Sequence, residues 1–202
     1  MYYGGSMNIV FDIGAVLIDF DWDAFVGGMF EPETAAAVTR AMWHNPDWAE
    51  FDKGLLRDEE ILQRFIAKEP RYEKEIRHTF SRLADCPHRK AETIPLIERL
   101  KAEGHKVYFL SNFFEYLMHV APDALDFIAH MDGGVFSCFV HEIKPDPAIF
   151  GILCKRYGFT PQSAVFIDDS EKNVEGAKAC GFRTIHYTGQ DFDTLYNIII
   201  NE

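Results

Sequence analysis

Four short stretches of this chain carry residue types that, brought together, would do chemistry on a phosphate ester. They are Phe11-Asp12-Ile13-Gly14-Ala15-Val16-Leu17, Leu110-Ser111-Asn112, Ile143-Lys144-Pro145-Asp146-Pro147 and Ile167-Asp168-Asp169-Ser170. In chain order they supply a carboxylate, a hydroxyl, an ammonium and a pair of adjacent carboxylates. Such a set, with a divalent metal, is suited to cleaving a phosphate ester.

Each stretch alone has two readings. Asp12, shortly before Gly14, is either a turn aspartate capping nearby backbone or a nucleophile that attacks phosphorus and forms an aspartyl-phosphate. Asp168 and Asp169 can cap the next helix, although Ser170 is better placed for that. Beside Asp12, however, they would repel strongly unless a cation sat among them, and hard oxygen ligands suit Mg²⁺. Ser111 and the N–H of Asn112 form either an ordinary turn or a cradle for a phosphoryl oxygen. Lys144, whose backbone Pro145 and Pro147 stiffen, is either one more surface lysine or a fixed ammonium that neutralises phosphate and nucleophile. The combination is the specific signal. It selects Asp12, Ser111 and Lys144 as catalytic groups, Ser111, Asn112 and Lys144 as substrate contacts, and Asp12, Asp168 and Asp169 as metal ligands.

Converging these stretches requires a particular frame. Asn8 to Asp12 reads as a buried strand. From Trp22 to about Glu92 the pattern is helical: Pro32 opens one run, Asp58 can cap Glu59–Lys68, and Pro70 can open another through Leu83. No strand is expected in that block. Beyond Thr93, helices and strands alternate, with strands at Lys106–Ser111, near Val135–Cys138, at Ala164–Asp168 and at Arg183–Tyr187. Helices are expected at Thr93–Glu103, Pro147–Tyr157, Glu171–Cys180 and Phe192–Ile199. Alternation of this kind builds an α/β fold, a Rossmann-like doubly wound parallel sheet covered on both faces. An all-helical cap, residues 22–92, is inserted into a core made of 7–21 and 93–202. Ligands of such sheets sit beyond the carboxyl ends of the strands, where Asp12, Ser111 and Asp168-Asp169 fall.

Bulk properties narrow the partners. A chain of 202 residues with 48% apolar content can bury a sizeable core. Its net charge of −12 disfavours nucleic acid and anionic membrane, so an anionic metabolite would need a local cationic site. No apolar run reaches the roughly 18–20 residues that span a bilayer. Met1 to Met7 lacks the layout of a signal peptide and reads as a short extension. Cys86, Cys138, Cys154 and Cys180 show no paired spacing; Cys138 and Cys154 read as small core residues, and reduced thiols favour the cytoplasm. A monomer or homodimer is expected.

These motifs closely resemble the haloacid dehalogenase-like hydrolase superfamily, over nearly the whole chain from Asn8 to Thr188. The strongest stretches are Phe11–Asp19, Ile143–Phe150 and Phe166–Asn173. Within the superfamily the chain looks most like the sugar-phosphatase branch related to alpha-D-glucose-1-phosphate phosphatase and the phosphatase domain of soluble epoxide hydrolase. The resemblance implies a Mg²⁺-dependent phosphomonoesterase acting on a small phosphorylated metabolite such as a sugar phosphate. It implies Asp12 as nucleophile, Ser111 and Lys144 as phosphate binders, and Asp169 as the metal carboxylate. Asp168 would partner a metal-bound water, the Gly14 carbonyl would be a further ligand, and Asn173 would support the acidic site.

The chain departs from the family pattern at Gly14, where most family phosphatases carry a second aspartate acting as general acid and base. Positioned acid–base help is worth on the order of 10²–10⁴ in rate. A substrate whose leaving oxygen needs less protonation, or a histidine from the cap with His44 and His78 nearest, would compensate. In the stretch Met42–Trp48, Trp43 and Trp48 read as packing of the cap, or as a lid in which Trp43 contacts substrate. Phe113 and Phe114 form an apolar wall at the phosphate site or pack the next helix. Two other functions compete: a metal-independent L-2-haloacid dehalogenase, against which the Asp168-Asp169 pair argues, and a phosphate-ligand binder that has lost catalysis.

Overall fold

The computed structural model describes residues 5–201, so the first four residues of the expected N-terminal extension lie outside them. The chain opens with β1 (Asn8–Phe11) and the two-residue strand β2 (Ile18–Asp19). There follow α1 (Trp22–Gly27), α2 (Pro32–Ala41), α3 (Trp48–Asp52), α4 (Asp58–Lys68) and α5 (Glu73–Ser81). The return passes through β3 (His88–Arg89), α6 (Thr93–Ala102) and β4 (Lys106–Ser111). Then come α7 (Glu115–Val120), β5 (Gly133–Phe136), α8 (Pro147–Tyr157) and β6 (Ala164–Asp168). The chain ends with α9 (Glu171–Ala179), β7 (Arg183–His186) and α10 (Phe192–Asn201).

Ile9, Val10 and Phe11 are fully buried, as the central strand of a sheet covered on both faces must be. The strand order is β5-β4-β1-β6-β7, all parallel. From β1 the chain builds outward to β4 and β5, then crosses to β6 and β7 on the other side. That reversal opens a crevice at the carboxyl ends of the strands. The register places Phe11 beside Phe109 and Ile167, so the residues just past all three come out level. Ile9 and Phe11 face one core, which includes the helical segment; Val10 faces another with Tyr108, Leu110, Phe150 and Phe166.

Helix α8 follows its local signals closely. The Asp146 side chain accepts from the Ala148 N–H at 2.9 Å, Pro147 fills the first turn, and Gly158 at φ 70° ends the helix. Elsewhere the boundaries shift. Asp58 is not the cap of α4 but its first residue; Arg57 takes the cap position, and Glu60 accepts from the Arg57 N–H at 2.9 Å. An acid inside the first turn suits the helix dipole, while Glu60 reaches back as in a capping box. Pro70 opens a short 3₁₀ turn, and α5 begins only at Glu73. Strand β5 starts at Gly133, two residues early.

A strand does occur in the block expected to be purely helical. β3 pairs antiparallel with β2, Ile18 opposite Arg89 and Asp19 opposite His88. Two residues are too few to show a period. This ribbon joins the two chain crossings at the base of the helical segment. The four cysteines are free; Cys138 is buried as expected, whereas Cys154 is only partly so. Among the described residues, no helix is long and apolar enough to cross a membrane.

Candidate active site

The four stretches meet at the carboxyl ends of β1, β4 and β6. The Asp12 N–H extends the β1–β6 ladder to Ile167 O at 2.8 Å, which fixes the start of its side chain. Ser111, the last residue of β4, donates from Oγ to Asp12 Oδ1 at 2.8 Å. Lys144 Nζ lies 2.8 Å from the same Asp12 oxygen and 2.7 Å from Asp168 Oδ2. Asp168 also accepts from the Ser170 N–H at 2.8 Å and from Asn173 Nδ2 at 3.1 and 3.2 Å. One carboxylate oxygen each from Asp12, Asp168 and Asp169 falls within 4.8 Å of the others.

Burial sets the electrostatics. Asp12, Lys144 and Asp168 are all buried, whereas Asp169 is exposed. Burial pushes the Asp12 carboxyl up to about 6; Lys144 and Ser111 pull it back, and the Asp168 charge adds to the rise. For Lys144, burial works against the ammonium, but Asp12 and Asp168 on either side prevail and raise its pKa. Asp169 is raised by burial and by its neighbour Asp168. Three carboxylates against one ammonium leave an excess of negative charge on hard oxygen donors, which fits Mg²⁺. The Gly14 carbonyl accepts from the Val16 N–H at 2.7 Å and keeps one lone pair for a further partner.

Several residues have jobs that the sequence does not announce. Asn112, whose backbone N–H is the expected substrate contact, holds Lys144 with its side chain: its Oδ1 accepts from the Lys144 N–H at 2.7 Å and its Nδ2 donates to Lys144 O at 3.1 Å. Lys90 donates to Ala15 O at 2.8 Å, and Thr93 Oγ1 to Leu17 O at 2.6 Å, so residues just after β3 pin the loop that follows Asp12. Asp52, at the end of α3, places a half-buried carboxyl in the fields of Asp12 and Lys144. Lys90 and Asp52 do not stand out among the 20 basic and 32 acidic residues, and all four roles depend on contacts far apart in sequence.

The aromatic expectations resolve unevenly. Trp43 packs against Trp22 and Trp48, yet lines a shallow pocket of about 470 Å³ with Ala15, Phe20 and His44. Its Nε1 is buried without a hydrogen-bond partner. Phe113 and Phe114 are buried, and Phe114 stacks on Phe51 at 4.8 Å and meets Trp48 edge-on at 5.2 Å. Phe114 therefore packs α3 onto the core, and Phe113 packs against Phe114 and Phe136. His78 is on the exposed face of α5, edge-on to Phe30, and His44 is exposed at the pocket rim. From the helical segment, Asp52 is an acid whose carboxyl feels the charge of Asp12.

With this geometry in view, comparison with known proteins is specific. Residues 8–181 match the haloacid dehalogenase-like hydrolase family. A drimenol cyclase from Aspergillus calidoustus is 26% identical over 91% of this chain, which spans only 34% of that longer protein. A D-ribitol-5-phosphate phosphatase from Bacteroides thetaiotaomicron is 26% identical, over 96% of this chain and 98% of that one. Among solved structures, a HAD family enzyme of Bacteroides thetaiotaomicron, in complex with magnesium and inorganic phosphate, superposes with a TM-score of 0.69. It is 22% identical and the match covers 95% of this chain and 99% of that one.

Proposed function

As this chain belongs to the haloacid dehalogenase-like hydrolases, we propose that it is a Mg²⁺-dependent phosphomonoesterase for a small phosphorylated metabolite, a sugar or sugar-alcohol phosphate. The observation that carries this reading is the Lys144 ammonium, held between Asp12 and Asp168 while Ser111 donates to the same Asp12 oxygen. A buried cation and a hydroxyl there orient a nucleophile and present positive charge to a phosphoryl group. The end-to-end match to a ribitol phosphate phosphatase supports the substrate class, and the magnesium and phosphate complex of a similar fold supports the ion.

In this mechanism Asp12 attacks phosphorus, the ester oxygen departs, and water then hydrolyses the aspartyl-phosphate. Ser111 and Lys144 hold the carboxylate in line, and Asn112 and Asn173 hold Lys144 and Asp168. Mg²⁺, bound by Asp12, Asp168, Asp169 and the Gly14 carbonyl, would neutralise charge on the phosphoryl oxygens. The helical segment 22–92 serves as the cap over a core of 7–21 and 93–202, and Trp43 with the pocket it lines meets the organic part of the substrate. The dehalogenase alternative gains no support from Asp168 and Asp169, which would repel a carboxylate substrate.

Phosphate release from a panel of sugar, sugar-alcohol and acyl phosphates, with Mg²⁺ and with EDTA, tests the proposal. Turnover that EDTA abolishes is expected, without halide release from 2-chloropropionate or fluoroacetate. Halide release without added metal would select the dehalogenase. A stable beryllofluoride adduct without any turnover would select the binder.

A further inference from the structure

Gly14 leaves the nucleophile without a neighbouring acid. A Cβ built there meets nothing within 4 Å, so the space beside Gly14 is open. From the helical segment, α3 ends against the core. Phe51 stacks on Phe114, three residues beyond Ser111. The main-chain oxygen of Asp52 accepts from Ser137 Oγ, which itself accepts from the Phe113 N–H at 2.8 Å. Lys53 O pairs with His141 Nδ1 at 2.7 Å. Gly54, at φ 68°, lies so close to Cys138 that any Cβ would strike the Cys138 carbonyl.

Residues 52–54 are thus sewn to 137–141 beside the chain that follows Ser111, and the half-buried Asp52 carboxyl lies in the fields of Asp12 and Lys144. We propose that Asp52 is the proton donor to the leaving oxygen, replacing the acid that Gly14 lacks. This rests on the phosphomonoesterase reading. Asp52 lies outside the three-carboxylate cluster and makes no hydrogen bond to Asp12 among the described residues, so it is not placed as a fourth metal ligand. Its neighbours favour the neutral acid. Burial pushes its pKa to about 8, the Asp12 charge adds to this, and Lys144 offsets part. Burial is the largest of these causes, so a cation that neutralises Asp12 leaves the main one in place. The nearby Cys138 thiol, pushed up to about 12 by burial, adds no charge.

The proton balance closes. Asp12 forms a bond to phosphorus as the phosphorus–oxygen bond to the alkyl group breaks, and that oxygen takes the proton of Asp52 and leaves as an alcohol. The Asp52 carboxylate then takes a proton from water as that water attacks the aspartyl-phosphate. Asp12 is freed, inorganic phosphate departs, and Asp52 is again the acid.

The test compares an alkyl phosphate, ribitol 5-phosphate, with p-nitrophenyl phosphate, whose leaving group needs no proton, both with Mg²⁺. In Asp52→Asn, kcat/KM for the alkyl ester should fall by about 10²-fold or more, while kcat/KM for the aryl ester, which reports only the formation of the aspartyl-phosphate, stays within about threefold. The alkaline limb of the wild-type kcat/KM–pH profile for the alkyl ester should disappear in the variant. Gly14→Asp added to Asp52→Asn should restore alkyl-ester turnover. Equal losses on both esters, or no loss, overturn the assignment. Should Asp52→Asn not fold, the wild-type profiles decide: an alkaline limb for the alkyl ester alone supports it, and matching profiles overturn it. Wild type inert to both esters removes the phosphomonoesterase reading and the donor together, whereas active wild type with parallel losses removes the donor alone.

Discussion

Asn112 grips the Lys144 residue by both its N–H and its carbonyl, at 2.7 and 3.1 Å, across 32 positions of sequence. The clamp sets where the Lys144 side chain starts, and therefore where its ammonium meets Asp12 and Asp168. Asn112→Asp keeps an acceptor for the N–H but sets an oxygen against the Lys144 carbonyl. A partner left unsatisfied at such a place costs about 1–3 kcal/mol. We expect kcat/KM to fall by about 10–100-fold and the melting temperature to drop, measured by phosphate release and thermal unfolding.

Asp12→Asn removes the proposed nucleophile with almost no change of shape. Phosphate release should vanish while the circular dichroism spectrum is retained. Residual turnover at more than about a thousandth of wild type would show that another group attacks phosphorus.

Gly14→Asp should fold. The glycine is not held in the left-handed region, and its Cβ position is open. Placed there, a carboxyl offers a second proton donor, so turnover of alkyl phosphates should rise by about tenfold with little change for p-nitrophenyl phosphate. An unchanged ratio between the two esters would mean that the added group does not reach the leaving oxygen.

The acid groups also predict a pH signature. Asp12 lies near 3.8 in the unfolded chain and is pushed up to about 6 in the fold. A carboxyl raised in this way binds its proton more tightly when folded. Its contribution to stability is present below about pH 4 and lost as the pH rises through about 6. In EDTA, wild type should therefore lose more melting temperature between pH 5 and pH 7 than Asp12→Asn does. Mg²⁺ favours the ionised carboxylate and should release a proton on binding at pH 6, read by calorimetry in buffers of different ionisation enthalpy.

How much of this was legible in the sequence follows from what each residue depends on. The ends of β1, β4 and β6 were readable because a continuous apolar run followed by a reactive residue is a local pattern, and the parallel sheet then does the converging. α8 was readable because Asp146, Pro147 and Gly158 are its own punctuation. The β2–β3 ribbon is too short to leave a pattern. Asn112 and Lys90 act through main-chain oxygens and N–H groups far along the chain, which carry no side-chain signature. Asp52 looks like any other acid until folding brings its carboxyl into the field of Asp12.

The ribbon at the base of the helices has a mechanical consequence. One residue beyond β3, Lys90 takes hold of the Ala15 carbonyl, and Thr93 takes hold of Leu17. The helices and the loop that follows Asp12 are thus fastened by the same few atoms. Were the helices to shift about this ribbon, the loop would be pulled through those contacts, so its geometry would follow theirs.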